Sequence, residues 1–342
     1  MDPGSSASPL SPEGSLDELA ARAHVTFSHL GQARLLADQS IADAAMGLAD
    51  LTPDDVSVVM FGSWARGELT AGSDNDWAIL TPADRSADAD VEELAALCRE
   101  RFNRENKAPG AQDIFGVPFD WPKLADEIGL NEDDNTNLTR RMLTLLESVA
   151  IVGTARDECW SAIIDRYLRW GVKDHHPPRF LLNDIIRYWR TICVDFEGKH
   201  KTSGGEDPKW VMRNAKLRTS RKVLFAGGLL PVLFCRLREL EEIPAFLTWQ
   251  LAARPVDRIA WAFLQTDLIA EGARCLGAYD EWIAMLQDND FRAAIAALRA
   301  DTRDDSADFD RVRSVGERLH LGLTALLFDS PLAPESTRFL VL

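Results

Sequence analysis

The stretch from Val56 to Leu80 constrains this chain most. Val56-Ser57-Val58-Val59-Met60-Phe61 is an apolar run with three valines, and Trp77-Ala78-Ile79-Leu80 is a second run. Between them stand Gly62-Ser63-Trp64-Ala65-Arg66-Gly67, five further residues, and then Ser73-Asp74-Asn75-Asp76. Apolar runs of this length, bounded by Gly, Ser and Asp, predict two short strands and a connection. Side chains i and i+2 of a strand share one face. Asp74 and Asp76 are therefore expected to aim two carboxylates at one point, with Asn75 turned away and Trp77 in the core.

Two oxygen donors on one rigid element suit a hard divalent ion, and Mg²⁺ takes one or two carboxylates together with substrate phosphates. Gly62 follows a strand directly, where a residue without Cβ lets a ligand approach the backbone. The Ser63 hydroxyl and the next N–H groups can hold a phosphate if a helix opens at Ser63-Trp64-Ala65-Arg66. Arg66 is a further phosphate or carboxylate partner. A phosphate cradle beside metal-binding carboxylates is the apparatus for moving a phosphoryl or nucleotidyl group.

The pattern formed by Gly62, Ser63, Arg66, Gly67, Ser73, Asp74 and Asp76 resembles that of the DNA polymerase β-like nucleotidyltransferase superfamily. Within it, the segment looks most like the minimal nucleotidyltransferases and the uridylyltransferases of signalling proteins. Trp77 stands where an aliphatic residue is commoner. The resemblance implies a third carboxylate on a strand beside the Asp-x-Asp strand, as metal ligand or base. Asp113 is the preferred candidate and Asp120 the alternative. The resemblance also implies a basic residue that reaches a triphosphate from a helical domain. Lys199 to Lys222 holds eight Lys and Arg against Glu206 and Asp207, in a chain whose net charge is −16. Lys209, Arg213 and Lys216 share one helical face and are the candidates, with Arg213 and Lys216 favoured.

The rest of the chain supports an α/β part followed by an all-α part. Residues 1–14 are rich in Ser, Pro and Gly and predict a disordered tail. Residues 15–125 read as the nucleotidyltransferase domain. A Ser15/Glu18 capping box opens a helix to about Ala49, with a break near Gly31. A further helix is expected over Ala89–Asn103 and a strand over Ala111–Trp121. Residues 126–342 read as a helical domain. There Leu138, Met142, Leu145 and Val149 form one stripe and Trp160, Ile163, Ile164, Tyr167 and Leu168 another, and helices are expected near 180–196, 208–225, 229–242, 256–276, 280–300 and 307–328. Asp133-Asp134 read as solvated loop or cap charges, and the Trp-rich stripes as core.

Five scattered cysteines without a C-x-x-C pair suggest neither a zinc knuckle nor a disulfide framework, and suit a reducing cytoplasm. Val223–Cys235, the longest apolar stretch, is too short to span a membrane. The implied chemistry is transfer of an NMP from an NTP, ATP by preference, to a hydroxyl acceptor, with Mg²⁺ or Mn²⁺. The acidic surface favours a protein or small-molecule acceptor over an RNA end. A cyclic-dinucleotide synthase and a non-catalytic NTP-binding module are the alternatives.

Overall fold

A computed structural model describes residues 12–103, 109, 114–126, 128–129, 131, 133–169, 171–202 and 207–341. The helices of the first part are α1 (Ser15–Ala23), α2 (Ser28–Met46), α3 (Ser63–Arg66), α4 (Ala89–Phe102), α5 (Pro122–Asp126) and α6 (Asn135–Leu146). After them come α7 (Ala155–Leu168), α8 (Arg179–Thr202), α9 (Trp210–Arg218), α10 (Ser220–Phe234) and α11 (Ile243–Ala252). The last are α12 (Pro255–Gln265), α13 (Ile269–Gln287), α14 (Asn289–Ala297), α15 (Ala307–Phe328) and the single turn α16 (Ala333–Ser336). The strands are β1 (Ser57–Phe61), β2 (Trp77–Thr81), β3 (Pro118–Asp120) and β4 (Ser148–Val152).

These strands form one mixed sheet in the order β3-β2-β1-β4. β1 runs antiparallel to β2 and to β4, and β2 runs parallel to β3. Every residue of β1 and β2 is buried, because both faces of the sheet are covered. Val58, Met60, Trp77 and Ile79 pack with Ala37 and Ala44 of α2 and with Leu94, Cys98 and Phe102 of α4. The opposite face, Val59, Phe61, Ala78 and Leu80, joins the helical core around Met142 and Leu145. A strand covered on both faces needs a continuous apolar run, which is why the flanks of the motif do not alternate.

Several expectations need correction. The sheet takes β4 from beyond residue 125, because β1 pairs with it. Val149, read as the end of a helical stripe, lies in β4 opposite Met60. The α1 helix packs chiefly on α12 and α13. The first helix breaks at 24–27, leaving Gly31 inside α2, and Gly14 stands at the N-cap of α1 without a side-chain cap. The strand expected over Ala111–Trp121 is short: β3 covers Pro118–Asp120, and Ile114 to Val117 form turn and bend. Asp134 caps α6 by accepting from the Asn137 N–H at 2.7 Å. Its neighbour Asp133 is buried instead, bound by Arg141 at 2.8 Å and Arg187 at 3.0 Å.

The helical part is built around α10. Its apolar stretch is a buried core helix, and Gly227 is what lets α12 approach. A Cβ there would lie 2.8 Å from the Cβ of Pro255, closer than packed carbons come. The expected single helix over 208–225 is instead two, α9 and α10, separated at Thr219. Among the described residues, no helix is long and apolar enough to cross a membrane.

Candidate active site

The motif occupies one end of the sheet. The Phe61 N–H donates to the Asp76 carbonyl at 2.8 Å, so Gly62 and Asp76 stand side by side. Gly62 has φ 63° and ψ −133°, a conformation that residues with a Cβ rarely adopt. A Cβ at this position would lie 3.3 Å from Asp76 Oδ2 and 3.9 Å from Arg66 Nη1. The missing side chain therefore leaves a notch against the carboxylate. Ser63 opens the single turn of α3, and the Glu68 N–H folds the chain back by donating to the Ser63 carbonyl at 2.8 Å.

The loop between α3 and β2 is pinned from the opposite side to the carboxylates. Asn75 accepts from Trp64 Nε1 at 3.1 Å and donates through Nδ2 to the Phe102 carbonyl at 2.8 Å. Trp77 is fully buried and donates through Nε1 to Asn103 Oδ1 at 3.1 Å. Both side chains point as strand alternation predicts, which leaves Asp74 and Asp76 for the cleft. Asp74 is exposed and Asp76 half-buried. Ser73, expected at the ligand, closes a turn: its Oγ accepts from the Thr70 N–H at 3.0 Å.

Lys216, in the last turn of α9, lies within electrostatic reach of this pair of carboxylates. The residue is exposed, and desolvation by the surrounding protein still holds its ammonium below the ordinary lysine range. Asp74 and Asp76 oppose that shift, while Arg221 and Arg66 add to it. Both observations fit a cation in a concave site. Of its two companions on the basic segment, Arg213 pairs with Asp207 and Lys209 is exposed.

Arg66 lies under the notch. Its Nε donates to Glu68 Oε2 at 2.7 Å and its Nη1 donates to Glu147 Oε2. Of the two partner types the sequence allows for Arg66, carboxylates hold it here. Burial alone would favour the neutral form, but the flanking Glu68 and Glu147 keep the guanidinium firmly charged. Burial raises Glu68 above the usual carboxylate range despite Arg66. Breaking one partner of such a buried set costs about 3–5 kcal/mol, because a charge is left uncompensated.

Two residues beside the motif escape the sequence reading: Glu147 and Arg221. Glu147 precedes β4, whose Ser148 pairs with Phe61. It is thereby carried to the Gly62 end of the sheet, where its Oε1 meets Arg221 Nη1 at 3.4 Å. The run Ser148-Val149-Ala150-Ile151-Val152 before Gly153 is the signal that marks a strand here. Tyr188 of α8 is buried, and desolvation raises its hydroxyl well above the usual range; Glu147 and Asp76 push the same way, against Arg221 and Arg66.

The third-carboxylate candidate Asp113 lies outside the described residues. The alternative, Asp120, sits at the far end of β2, where Thr81 Oγ1 donates to it at 3.0 Å and the Ser86 N–H at 3.0 Å. Among the described residues, no three His, Cys, Asp or Glu side chains gather as a metal-binding group. Asp74 and Asp76 supply two carboxylates, with the Gly62 notch open beside Asp76 Oδ2. That donor set fits Mg²⁺ or Mn²⁺ completed by substrate phosphates.

Residues 44–116 match the family model described as Nucleotidyltransferase domain. That segment is therefore similar to nucleotidyltransferase domains, in keeping with the resemblance of its motif to the DNA polymerase β-like superfamily. The match contains the notch, the turn of α3 and both aspartates of the Asp-x-Asp pair. It ends before β3, so β4 with Glu147 and the helix bearing Lys216 lie outside it. No curated protein matches the chain.

Proposed function

We propose that the chain moves an NMP from an NTP, ATP by preference, to a hydroxyl acceptor, with release of pyrophosphate. The observation that carries this reading is the meeting of the Gly62 notch and Asp76 at one sheet end, and the electrostatic link between Lys216 and both aspartates supports it. Residues 15–125 would contribute the carboxylates and the cradle, and 126–342 the cation across the cleft. Ligand sites commonly form at such a junction.

In this reading Asp74 and Asp76 hold the divalent ion, Mg²⁺ or Mn²⁺. The ion supplies charge stabilisation for the phosphorus being attacked and for the departing pyrophosphate. Gly62 gives the phosphates access to the backbone, and Ser63 offers its hydroxyl. Lys216 neutralises part of the triphosphate tail and remains with the leaving pyrophosphate. Asp113 is proposed on the sequence alone as third ligand or as the group that takes the acceptor's proton. Arg66, held by Glu68 and Glu147, braces the turn that presents Gly62 and Ser63.

The net charge of −16 favours a cationic small molecule or a protein as acceptor over an RNA end. The scattered cysteines, four of five buried, suit the cytoplasm. The test is turnover of each labelled NTP, with Mg²⁺, by the full chain and by Asp74→Asn and Asp76→Asn. Both side chains lie at the cleft, so each variant should melt like the parent and release no pyrophosphate. Retention of most activity by either variant would refute the metal assignment. NTP binding without turnover by the parent would point to a non-catalytic binding module.

A further inference from the structure

The sheet has polar chemistry at its other end as well. Thr81 pairs with Asp120 where β2 and β3 finish, five residues along the chain from Asp76. At about 3.3 Å per residue, the two ends stand roughly 17 Å apart. A cavity of about 220 Å³ opens at the Asp120 end. Asp120, Lys123, Asn137 and Arg140 form its polar walls, and Phe119 and Leu124 its apolar ones. Three elements supply the polar groups: β3 brings Asp120, α5 brings Lys123, and α6 brings Asn137 and Arg140. The last two are three residues apart and so share a helical face.

These groups are held in place. Asp120 Oδ1 accepts from Thr81 Oγ1 and from the Ser86 N–H, both at 3.0 Å, and neither bond uses Oδ2. The Arg140 guanidinium lies over the buried Phe119 ring, with Cζ 4.5 Å from the centroid, a cation–π arrangement. Asn137 Nδ2 donates to the Lys123 carbonyl at 3.3 Å and to Asp133 Oδ1 at 3.1 Å, which ties α6 to α5.

The walls carry both signs of charge, yet the charges do not close on one another. Among the described residues, no ion pair joins Asp120 to Lys123 or Arg140. Opposite charges kept apart across a cavity match a molecule that carries both. Its ammonium would donate to Asp120, and its carboxylate would accept from Lys123 and Arg140. A bare anion would meet the Asp120 carboxylate, and a bare cation would meet the two basic groups. Size narrows the class further. Pockets for drug-sized ligands start at about 300 Å³, whereas a cavity of about 150 Å³ already takes benzene. The space suits a molecule of amino-acid size and is too small for an NTP.

We propose that this cavity is a second ligand site, which takes a small zwitterion of the α-amino-acid class. It goes beyond the transfer reading, because the length of β2 separates it from Asp76 and the reacting groups.

The test is calorimetric titration of the full chain with each standard α-amino acid. For the tightest binder, its deaminated carboxylate and its decarboxylated amine are titrated too. At least one amino acid should bind saturably at millimolar concentration or below. Each analogue lacks one charge and should bind about 10- to 100-fold more weakly. Asp120→Asn keeps an oxygen for Thr81 and the Ser86 N–H, so it should melt like the parent while losing affinity by the same factor. Lys123→Met, at an exposed residue, should lose affinity too, and it decides the matter if Asp120→Asn fails to fold. Binding should persist with Mg²⁺ and a non-hydrolysable NTP analogue present. No binding by any amino acid, unchanged affinity in a folded variant, or a carboxylate analogue as tight as its amino acid would overturn the proposal. Competition with the NTP analogue would place the amino acid in the nucleotide cleft and overturn it as well. None of these outcomes touches the transfer reading, which NTP turnover tests separately.

Discussion

Replacing Gly62 by alanine should separate the cost of backbone strain from the cost to chemistry. At φ 63° and ψ −133° the new side chain occupies a region of about 1–3 kcal/mol strain. Its Cβ would also sit 3.3 Å from Asp76 Oδ2, on the side where metal and phosphate must approach. Displacement of a reacting group by about 1 Å is enough to cost on the order of 100-fold in rate. Gly14→Ala is the control for strain. Gly14 has φ 85° and nothing within 4 Å of an added Cβ, so alanine there costs about 1–2 kcal/mol from its backbone alone. Thermal melts and pyrophosphate release, measured on both variants, make the comparison. Both should melt a few degrees below the parent, and Gly62→Ala alone should lose activity, by about 100-fold or more. A Gly62→Ala protein active to within about threefold of the parent would mean that phosphate and metal do not use the notch.

Two further outcomes follow from named contacts. Lys216→Met should weaken NTP binding by about 10- to 100-fold, whereas Arg213→Ala, which loses only a side chain already paired with Asp207, should change it by about twofold or less; equal losses in titration would contradict the placement. Asp133→Asn should cost about 3–5 kcal/mol by chemical denaturation, since it leaves Arg141 and Arg187 short of a partner. Desolvation alone would raise Asp133, but donors from Arg141, the Gly129 N–H and Arg187 outweigh it and bring its carboxyl down to about 2. A carboxylate whose folded value is depressed contributes stability above its unfolded value near 3.9 and loses it as pH falls toward 2. The parent should therefore lose stability between about pH 4 and 2 more steeply than Asp133→Asn.

The part of the site made by local sequence was legible. Strand alternation places Asn75 and Trp77 away from the cleft, and the structure has both there. The continuous apolar flanks anticipate a sheet covered on both faces. The basic segment that carries Lys216 was legible too, because a local charge of opposite sign in a chain of −16 is a strong signal. Contacts that depend on chain return were not legible. Glu147 lies 71 residues beyond Asp76 and reaches the site because β4 pairs with β1. The stripe of Leu138, Met142, Leu145 and Val149 keeps helical spacing into the strand, so periodicity alone carries the helix too far. Arg221 was hidden by the break at Thr219, which neither Gly nor Pro announces. Asp133 shows the same limit from another side: a charged residue near turn signals reads as solvated, and only its partners Arg141 and Arg187 reveal that it is buried.

The central claim is that Asp74, Asp76, the Gly62 notch and Lys216 form one nucleotide site. A crystal of the full chain soaked with Mg²⁺ and a non-hydrolysable analogue of each NTP tests it most directly. The account predicts metal density between the Asp74 and Asp76 carboxylates, phosphate density against Gly62 and Ser63, and the Lys216 ammonium in contact with the tail. Nucleotide bound elsewhere, or bound here with no metal on either aspartate, would contradict it.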